Sequence, residues 1–330
     1  MTDLVVALRI SPNQDGDGES GILKAHFNTV TVFNTTATHI FKCIGLKAVE
    51  ECLDGFNCSI FAYGMPGTGK TYTIFGTKNC PGLVPQCCKA LFESALHRTS
   101  NDTFLEISFF EVYNEHVYDL LAKVAEDEVE KVSLRVREHP RNGPYAENLS
   151  KHAISHLDDV LRLIDRGTAS RATAETLANP KSSRSHSVFT IHINQNVKSS
   201  SGIVALRSKL HLIDLAGSPV SLNHLPMHSA RKQKIYVPYR DSKLTWLLRD
   251  ALGGNSKTAV IITVSPSEIC LNETLHSLRF AQQIKMIKNY PISNKTFKGG
   301  SIDRLLEEIN RLKDEVNGWR KVRKTRLIKA

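Results

Sequence analysis

The feature that most constrains this chain is a glycine-rich loop between a short apolar run and a helical segment. Residues Gly64–Thr71 match the pattern Gly-x-x-x-x-Gly-Lys-Thr at every fixed position. Residues 59–63 are apolar enough for a buried strand, and the segment from Lys70 onward suits a helix. Backbone N–H groups in such a loop, together with the positive end of the helix, bind phosphates. The pattern therefore predicts a nucleotide site in an α/β protein.

Three further positions indicate what this loop would hold. Lys70 would reach the β and γ phosphates, and Thr71 offers a hydroxyl to Mg²⁺. Asp214 ends an apolar run, which puts a carboxylate at a strand tip, where a P-loop enzyme holds the water shell of the metal. The guanine-reading pattern Asn-Lys-x-Asp does not occur, because the one Asn-Lys pair, at 294–295, continues as Thr-Phe. ATP with Mg²⁺ is the predicted ligand.

Apolar runs alternate with amphipathic segments along most of the chain. Runs rich in β-branched and aromatic residues predict strands at Leu4–Ile10, Ser59–Tyr63, Phe104–Val112, Ser187–Ile193, Leu210–Leu215 and Thr258–Val264. Helical periodicity predicts helices at Thr38–Leu53, Lys70–Ile74, Pro85–His97, Leu157–Arg166, Ser242–Ala251 and Asn272–Met286. We therefore expect an α/β fold with a central, mostly parallel or mixed sheet and helices on both faces.

Size and cysteine content narrow the class of protein. With 330 residues, 41% of them apolar, the chain can form one large α/β domain with an appendage, or two ordinary domains. Its seven cysteines show no zinc-like spacing and follow no secretory signal, so we expect a reduced, intracellular protein. No apolar run approaches the ~20 residues that a membrane-spanning helix needs, so no membrane insertion is expected.

The net charge of +10 is concentrated near the C-terminal end. Residues 285–330 carry +8 and residues 231–257 carry +5, which leaves −3 for the rest of the chain. Such zones suit a polyanionic partner, such as nucleic acid, anionic lipid or an acidic protein surface. A solvated tail is an equally good interpretation of the last zone.

Beyond Met286 the pattern changes to a linker followed by one helix. Residues 289–294 lack helical periodicity, the sequence Lys-Gly-Gly at 298–300 interrupts any helix, and Ser301 suits a helix cap. Apolar residues then recur at intervals of three and four, at Ile302, Leu305, Ile309, Leu312, Val316 and Trp319. A short coiled coil pairing two copies over 302–319 and a helix folded back on the body both fit this spacing.

Seven stretches, in the same order along the chain, resemble a kinesin motor domain. They are Phe61–Gly64 leading into the glycine-rich loop, Phe110–Glu115, Asp119–Leu121, Ser182–His186, Asp214–Ser218, Pro238–Thr245 and Leu252–Thr258. Residues 134–140, with 143–145 and 245–248, are most similar to the kinesin-3 subfamily. The resemblance implies a kinesin-type P-loop fold over residues 1–286, a neck linker over 287–300 and a neck helix over 301–330.

The resemblance also implies roles for matching positions in the nucleotide site. Arg9 and Pro12 resemble the family's adenine-stacking Arg-x-Arg-Pro, with a serine replacing the second arginine. Ser182 and Ser183 match the first switch loop, which contacts the γ-phosphate and Mg²⁺, and Gly217 matches the phosphate-sensing glycine of the second. The predicted catalytic residues are Lys70, Thr71, Ser182, Ser183, Arg184, Asp214 and Gly217, and the predicted metal ligands are Thr71, Ser183 and, through water, Asp214. The predicted nucleotide-binding residues are Arg9, Pro12, Gly64, Met65, Pro66, Gly67, Thr68, Gly69, Lys70, Thr71 and Tyr72.

A second implied surface is the microtubule-binding face, which would include Tyr239–Thr245 and the helix that follows. Its predicted contacts with the acidic surface of tubulin are Arg231, Lys232, Lys234, Arg240, Lys243 and Arg249. The resemblance thus implies an ATP-dependent microtubule motor located in the cytoplasm on the cytoskeleton. A generic P-loop ATPase acting on nucleic acid would explain the charge but not the seven stretches, so we expect no nucleic-acid partner.

The kinesin pattern breaks after Ser218. The family continues with a glutamate that pairs with the switch arginine, here Arg184, whereas Pro219 has neither a charge nor a backbone donor. Only 20 residues separate Ser218 from Tyr239, where the family has a long loop and a relay helix, so the chain is shortened at 219–237 and also at 13–27. A splice form, a gene-model error and real divergence all fit this pattern. Two functions stay open: a motor that hydrolyses ATP, and a non-motile module that binds nucleotide and microtubules without coupling them.

Overall fold

The structure is a computed structural model that describes most of the chain. It covers residues 2–10, 31–33, 37–97, 101–122, 132–140, 143–172, 184–199, 202–217, 237–298, 308–309 and 311–313. Several predicted site residues lie outside these ranges, namely Pro12, Ser182, Ser183, Arg231, Lys232 and Lys234. Pro219 and most of the predicted neck helix lie outside them as well.

The secondary structure alternates between strands and helices as the sequence pattern predicts. The strands are β1 (Thr2–Asp3), β2 (Val5–Ile10), β3 (Thr31–Phe33), β4 (Cys58–Gly64), β5 (Asn101–Tyr113), β6 (His116–Asp119), β7 (Ser133–Leu134), β8 (Val136–His139), β9 (Gly143–Ala146), β10 (His152–Ile154), β11 (His186–Ser199), β12 (Gly202–Asp214), β13 (Lys257–Val264), β14 (Lys288–Asn289) and β15 (Lys295–Lys298). The α-helices are α1 (Ala37–Ile40), α2 (Leu46–Leu53), α3 (Lys70–Ile74), α4 (Leu83–His97), α5 (Leu157–Ala172), α6 (Lys243–Leu247) and α7 (Leu271–Ile284). A π-helical turn at Phe41–Gly45 joins α1 to α2, and 3-10 turns cover Tyr239–Asp241, Arg249–Ala251 and Glu268–Cys270.

The strands form one large mixed sheet, which confirms the predicted fold class. Its order is β3-β2-β13-β4-β12-β11-β5-β6-β7, with β10 beside β5 and β15 beside β12. Neighbours from β3 to β12 run parallel, whereas β12, β11, β5, β6 and β7 run antiparallel to one another. Two short ribbons, β1 with β14 and β8 with β9, lie outside this sheet. The parallel half brings the carboxyl ends of β4 and β12 to the same edge, where ligands bind in sheets of this type.

Helices cover both faces of the sheet. On one face, residues such as Val49 of α2, Leu91 of α4 and Val160 of α5 pack against the sheet side chains of the larger core. On the other face, Leu244 of α6 and Phe280 of α7 belong to a second buried cluster with residues of β4 and β13. The rings of Tyr63 and Phe280 stack there with centroids 3.9 Å apart. Within the described ranges, no helix is both long and apolar enough to span a bilayer.

The segment after α7 pairs with the body of the protein, which sequence periodicity did not predict. Residues Lys288 and Asn289 pair with β1, and Lys295–Lys298 pairs antiparallel with Ile203–Leu206 of β12. Asn289 is 1% exposed, and its amide N–H groups donate to the carbonyl oxygens of Ala251 and Ser256 at 3.1 and 2.7 Å. Strand pairing and hydrogen bonds from a side-chain amide, all with residues distant in sequence, therefore give this segment its extended conformation. Of the predicted helix at 302–319, the described residues 308–309 and 311–313 are helical.

Replacing Gly167 with alanine should destabilise the fold. Gly167 lets α5 approach β5 so closely that an added Cβ would lie 2.3 Å from Cδ1 of Phe109. Overpacking of this kind costs about 1–3 kcal/mol, which exceeds the roughly 1 kcal/mol that alanine gains over glycine in a helix. Urea unfolding measures the free energy of unfolding. Asp165→Ala, on the exposed side of α5, is the matched control, and a Gly167→Ala variant as stable as this control would contradict the packing described.

Candidate functional site

The glycine-rich loop connects the carboxyl end of β4 to α3, as the sequence predicts. Gly67 and Gly69 have φ values of 80° and 89°, in the left-handed region that favours glycine. Gly64 packs so tightly that a Cβ there would lie 2.1 Å from the carbonyl oxygen of Thr263. Thr68 adds a hydrogen bond of 2.7 Å to the hydroxyl of Thr263 on β13. The loop is thus held against the sheet, and the N-terminus of α3 begins directly after it.

Lys70 folds back onto the loop that precedes it. Its Nζ donates to the carbonyl oxygens of Gly64 at 3.0 Å and Met65 at 2.8 Å, and the residue is only 8% exposed. Burial lowers the pKa of Lys70 to about 8; the carboxylate of Asp214 opposes this shift and the charge of Arg171 adds to it. A weakly solvated ammonium is therefore held beside the loop, where phosphates can replace the two carbonyl groups as its partners.

Asp214 lies next to the loop, as predicted from its position at a strand end. The hydroxyl of Thr71 donates to its Oδ2 at 2.8 Å, and Arg171 Nη1 donates to the same oxygen at 2.9 Å. Its other oxygen, Oδ1, is buried and has no hydrogen-bond partner among the described residues. A buried carboxylate oxygen without a partner, close to a threonine hydroxyl, suits the water shell of a hard divalent cation. The residues present therefore fit a divalent cation bound together with phosphates.

Arg171 and Glu111 are central to the site, and the sequence patterns assigned them no role. Arg171, in the last turn of α5, is 7% exposed, and it donates to the carbonyl oxygen of Ser185 at 2.9 Å and the hydroxyl of Ser187 at 3.3 Å. Its Nε lies 3.7 Å from the carboxylate of Glu111, which is fully buried on β5. One hint of the role of Glu111 was present in the sequence, because it is a charged residue within the otherwise apolar run 109–112.

The start of β11 and the residues after β12 meet beside the loop. The backbone N–H of Ala216 donates to Nδ1 of His186 at 3.0 Å. Gly217 lies against the loop so closely that a Cβ would be 2.5 Å from Cγ of Pro66. Burial, with smaller contributions from Arg171 and Lys70, lowers the pKa of His186 to about 4, so its imidazole is neutral near pH 7 and can accept this hydrogen bond. Arg184, two residues earlier, is exposed.

Arg9 is buried against the glycine-rich loop. It is 4% exposed, its Nη1 donates to the carbonyl oxygen of Thr68 at 3.2 Å, and its guanidinium lies 5.1 Å from the ring centroid of Tyr72. Arg9 therefore supports the underside of the loop, and its contact with adenine stays a prediction. Tyr72 is the partly exposed member of this pair.

The predicted microtubule contacts that the structure describes lie on and around α6. Arg240 and Arg249 donate to the two carboxylate oxygens of Glu138 on β8, at 2.5 and 2.6 Å. Hydrogen bonds from Arg240 and then Arg249 lower the pKa of Glu138. The backbone N–H of Lys243 donates to Glu115 at 2.6 Å. Two of these three cations are thus paired within the protein, and Glu138 holds the β8–β9 ribbon against this surface.

Comparison with known proteins identifies the family of this chain. The family model described as "Kinesin motor domain" matches residues 11–223 and 221–287. This chain belongs to the kinesin motor-domain family. Membership implies a nucleotide site with a divalent metal, and the predicted resemblance is confirmed.

Individual relatives agree with this assignment. Kinesin-like protein KIF16B of Mus musculus is 40% identical over 310 residues, covering 83% of the chain and 23% of the relative. Kinesin-like protein KIF14 of Homo sapiens is 38% identical over 307 residues, covering 84% of the chain and 19% of the relative. A solved structure of a KIF14 dimer in the two-heads-bound state, with AMP-PNP and in complex with a microtubule, is 32% identical and has a TM-score of 0.82. It covers 92% of this chain and 99% of that chain. The chain spans about a quarter or less of the length of these curated relatives.

Replacing Arg171 with alanine should destabilise the protein strongly. The substitution leaves the buried carboxylates of Glu111 and Asp214 without their cation, and breaking a buried ion pair in this way costs about 3–5 kcal/mol. Urea or thermal unfolding measures the change. Arg162→Ala on the exposed side of the same helix removes only a surface pair with Asp159 and should cost about 0–1 kcal/mol. Equal effects of the two substitutions would refute the role of the buried network.

The affinity of the site for nucleotide should fall as the pH rises through about 8. Below this pH, Lys70 is already protonated in the free protein; above it, binding to phosphates requires uptake of a proton, which weakens the affinity. Equilibrium titration with a fluorescent nucleotide at several pH values measures this dependence. A Lys70→Arg variant keeps its charge throughout this range, so its affinity should be independent of pH. A wild-type affinity that stays constant to about pH 9.5 would exclude a lowered pKa.

Proposed function

We propose that this chain is an ATP-dependent microtubule motor domain of the kinesin type. The observation that carries the proposal is the joining of the glycine-rich loop to the end of β12 through the Thr71–Asp214 hydrogen bond, in a chain of this family. Lys70, Thr71 and Asp214 lie together as a P-loop enzyme requires. ATP is preferred over GTP because the sequence lacks the guanine-reading motif.

The described residues support specific roles in this function. Lys70 exchanges two loop carbonyl groups for phosphate oxygens, and Arg171 keeps Asp214 in place from the opposite side. Thr71 and Asp214 would hold Mg²⁺, with Ser183 as the third proposed ligand, and this ion would supply positive charge against the developing charge on the phosphates. Ser182, Ser183, Arg184 and Gly217 keep the switch roles that the resemblance implies.

Microtubules are the proposed track. The KIF14 structure that resembles this chain was solved in complex with a microtubule, and it covers 92% of the chain. Arg240, Lys243 and Arg249 lie on and around α6, where the family resemblance implies contacts with the track, and Arg231, Lys232 and Lys234 precede this segment in sequence. These cations would meet acidic groups of tubulin, so we place the protein on the microtubule cytoskeleton of the cytoplasm.

The chain end is proposed to work as a neck. Residues 287–300 would be the linker, and its strands β14 and β15 pair with β1 and β12. Residues 301–330 would form the neck helix, and Ile309 and Leu312 are 45% and 48% exposed, as expected for a stripe that pairs with a second copy. A homodimer through 302–319 is therefore part of the proposal.

A second candidate, a non-motile binding module, follows from the region after Gly217. The family model matches in two segments that meet at 221–223. The alignment with KIF16B spans 310 positions but covers only 83% of 330 residues, which supports a shortening of this chain relative to its relatives. With Pro219 in place of the switch glutamate and little room for a relay helix, nucleotide binding would persist without coupling to the track.

Steady-state ATPase activity with and without microtubules decides between these two functions. A motor should hydrolyse Mg·ATP slowly alone and at least about tenfold faster with microtubules. A tenfold increase corresponds to lowering the activation barrier by about 1.4 kcal/mol. Retained nucleotide binding without stimulation would leave only the binding module. Lys70→Ala should abolish nucleotide binding, whereas Lys89→Ala, an exposed position on α4, should not. A wild-type chain without affinity for nucleotide would overturn both functions.

A further inference from the structure

The sheet face that carries α6 and α7 changes from apolar to polar across its width. Over β4 and β13 it is buried beneath those two helices. Over the middle of β5, β11 and β12, two adjacent rows of side chains are polar instead. Strand register places Ser108, Thr190 and His211 in one row and Glu106, His192 and Lys209 in the next. The opposite face of the same strands is apolar and buried, with Ile107, Ile191 and Leu210 among its residues.

These polar rows form the floor of a concave space. A cavity of about 640 Å³ is bounded by the sheet, by Leu247 of α6, by Pro144 of β9 and by the C-terminal segment at 293–296. A neighbouring cavity of about 310 Å³ shares Lys151, His192, Lys209 and His211 with it. Small-molecule sites commonly have volumes of 300–1,000 Å³. The space is therefore large enough for a compact ligand, and it lies on the other side of the sheet strands from the larger core.

The cavity is electrostatically positive. Its lining contains the cations Lys151, Arg207, Lys209 and Lys295 and the anions Glu106 and Asp250, which gives a net charge of +2. The two imidazoles add no charge near neutral pH. His192 lies 3.0 Å from the hydroxyl of Ser108 and His211 lies 2.9 Å from that of Thr190, and burial lowers their pKa values to about 2 and about 3.

Lys209 is the cation at the centre of the floor. Its side chain is partly buried. Its backbone N–H donates to Asn57 and its carbonyl oxygen accepts from Cys52, whereas its ammonium has no partner among the residues that the structure describes. Burial lowers its pKa, the charge of Lys151 lowers it further, and Asp250 opposes the shift. Two lysines that repel each other in a partly desolvated cavity would both be stabilised by an anion between them.

We propose that this cavity is a binding site for a multivalent oxyanion of the phosphate-ester class. Its cations come from three separate parts of the chain, namely β12, the loop at Lys151 and β15, so they surround the space rather than form a surface stripe. The net charge of +2 matches a dianion, and a phosphate monoester carries about −1.5 to −2 at neutral pH. A single carboxylate would neutralise only half of this charge.

The proposed anion site does not depend on the proposed motor function. The glycine-rich loop lies at the carboxyl ends of β4 and β12. Lys209 lies elsewhere, because the next residue, Leu210, pairs with Cys58, the first residue of β4. The cavity floor therefore lies at the middle of β12 and the amino end of β4, away from the loop at the carboxyl ends of these strands. An experiment on the cavity needs a reporter that distinguishes it from the loop.

Imidazole NMR signals supply that reporter. His192 and His211 line the cavity, whereas His186 lies beside the glycine-rich loop, and their lowered pKa values keep all three from titrating between pH 6.5 and 8. Inorganic phosphate, which carries about −1.5 to −2 near neutral pH, is titrated into the protein after the loop has been saturated with Mg·AMP-PNP. The signals of His192 and His211 should shift in a saturable manner while that of His186 stays fixed. If only His186 responds, or no signal responds, the proposal is wrong.

Substitutions locate the charge that binds the anion. Lys209→Gln should weaken phosphate binding at least tenfold and Lys151→Gln several-fold, whereas Lys198→Gln, an exposed position on β11 outside the cavity, should leave it unchanged. Circular dichroism checks that each variant is folded, and Lys151→Gln at an exposed position keeps the test valid if Lys209→Gln does not fold. Binding of a glutamate-rich decapeptide is measured in the same way, to test whether the cavity prefers carboxylates. Tighter binding of this peptide than of inorganic phosphate would overturn the phosphate assignment in favour of an acidic protein segment.

Discussion

A buried ion network around Arg171 joins the parts of this protein that form its nucleotide site. Arg171 contacts Asp214 on β12, Glu111 on β5 and the start of β11 at Ser185 and Ser187. Charges removed from water are tolerated only when each has its partners, so every member of the network depends on the others. Because Asp214 also accepts a hydrogen bond from Thr71, the glycine-rich loop depends on a contact made by the last turn of α5. Gly167, one turn earlier, allows that helix to come close enough to make it.

Strand β12 connects three regions of the molecule. Asp214 at its carboxyl end belongs to the nucleotide site, Lys209 and Arg207 line the polar cavity, and Ile203–Leu206 pair with β15 in the C-terminal segment. Asn289 and Asn294 hold that segment through side-chain amides, and residues 293–296 form part of the cavity wall. A displacement of the C-terminal segment would therefore change the shape of the cavity without breaking the network around Arg171.

Local patterns predicted the elements well but not all of their partners. Each strand and helix expected from periodicity between Leu4 and Met286 has a counterpart, and α3 begins and ends at the predicted residues. The strands β14 and β15 were missed because two- and four-residue strands have no measurable periodicity and exist only by pairing with β1 and β12. The predicted helix at 242–251 divides into α6 and a 3-10 turn at Arg249–Ala251, since Leu248 leaves helical geometry with φ −99° and ψ 15°. Arg9, which the resemblance predicts to stack on adenine, is buried against the loop, and its contact with adenine stays a prediction.

The sequence by itself determined the phosphate loop, the carboxylate after β12, the kinesin resemblance and the alternation of strands and helices. These features are local, since a glycine at positive φ or a period of two or 3.6 residues acts within a few positions of the chain. Only the tertiary structure decided that Arg171 contacts both Glu111 and Asp214, that Glu138 pairs with Arg240 and Arg249, and that Lys209 faces a cavity. Each of these contacts joins residues distant in sequence and depends on strand register and helix packing. The free energy that selects them comes from burying charges and apolar surface together, and the extent of this burial cannot be read from a short stretch of sequence.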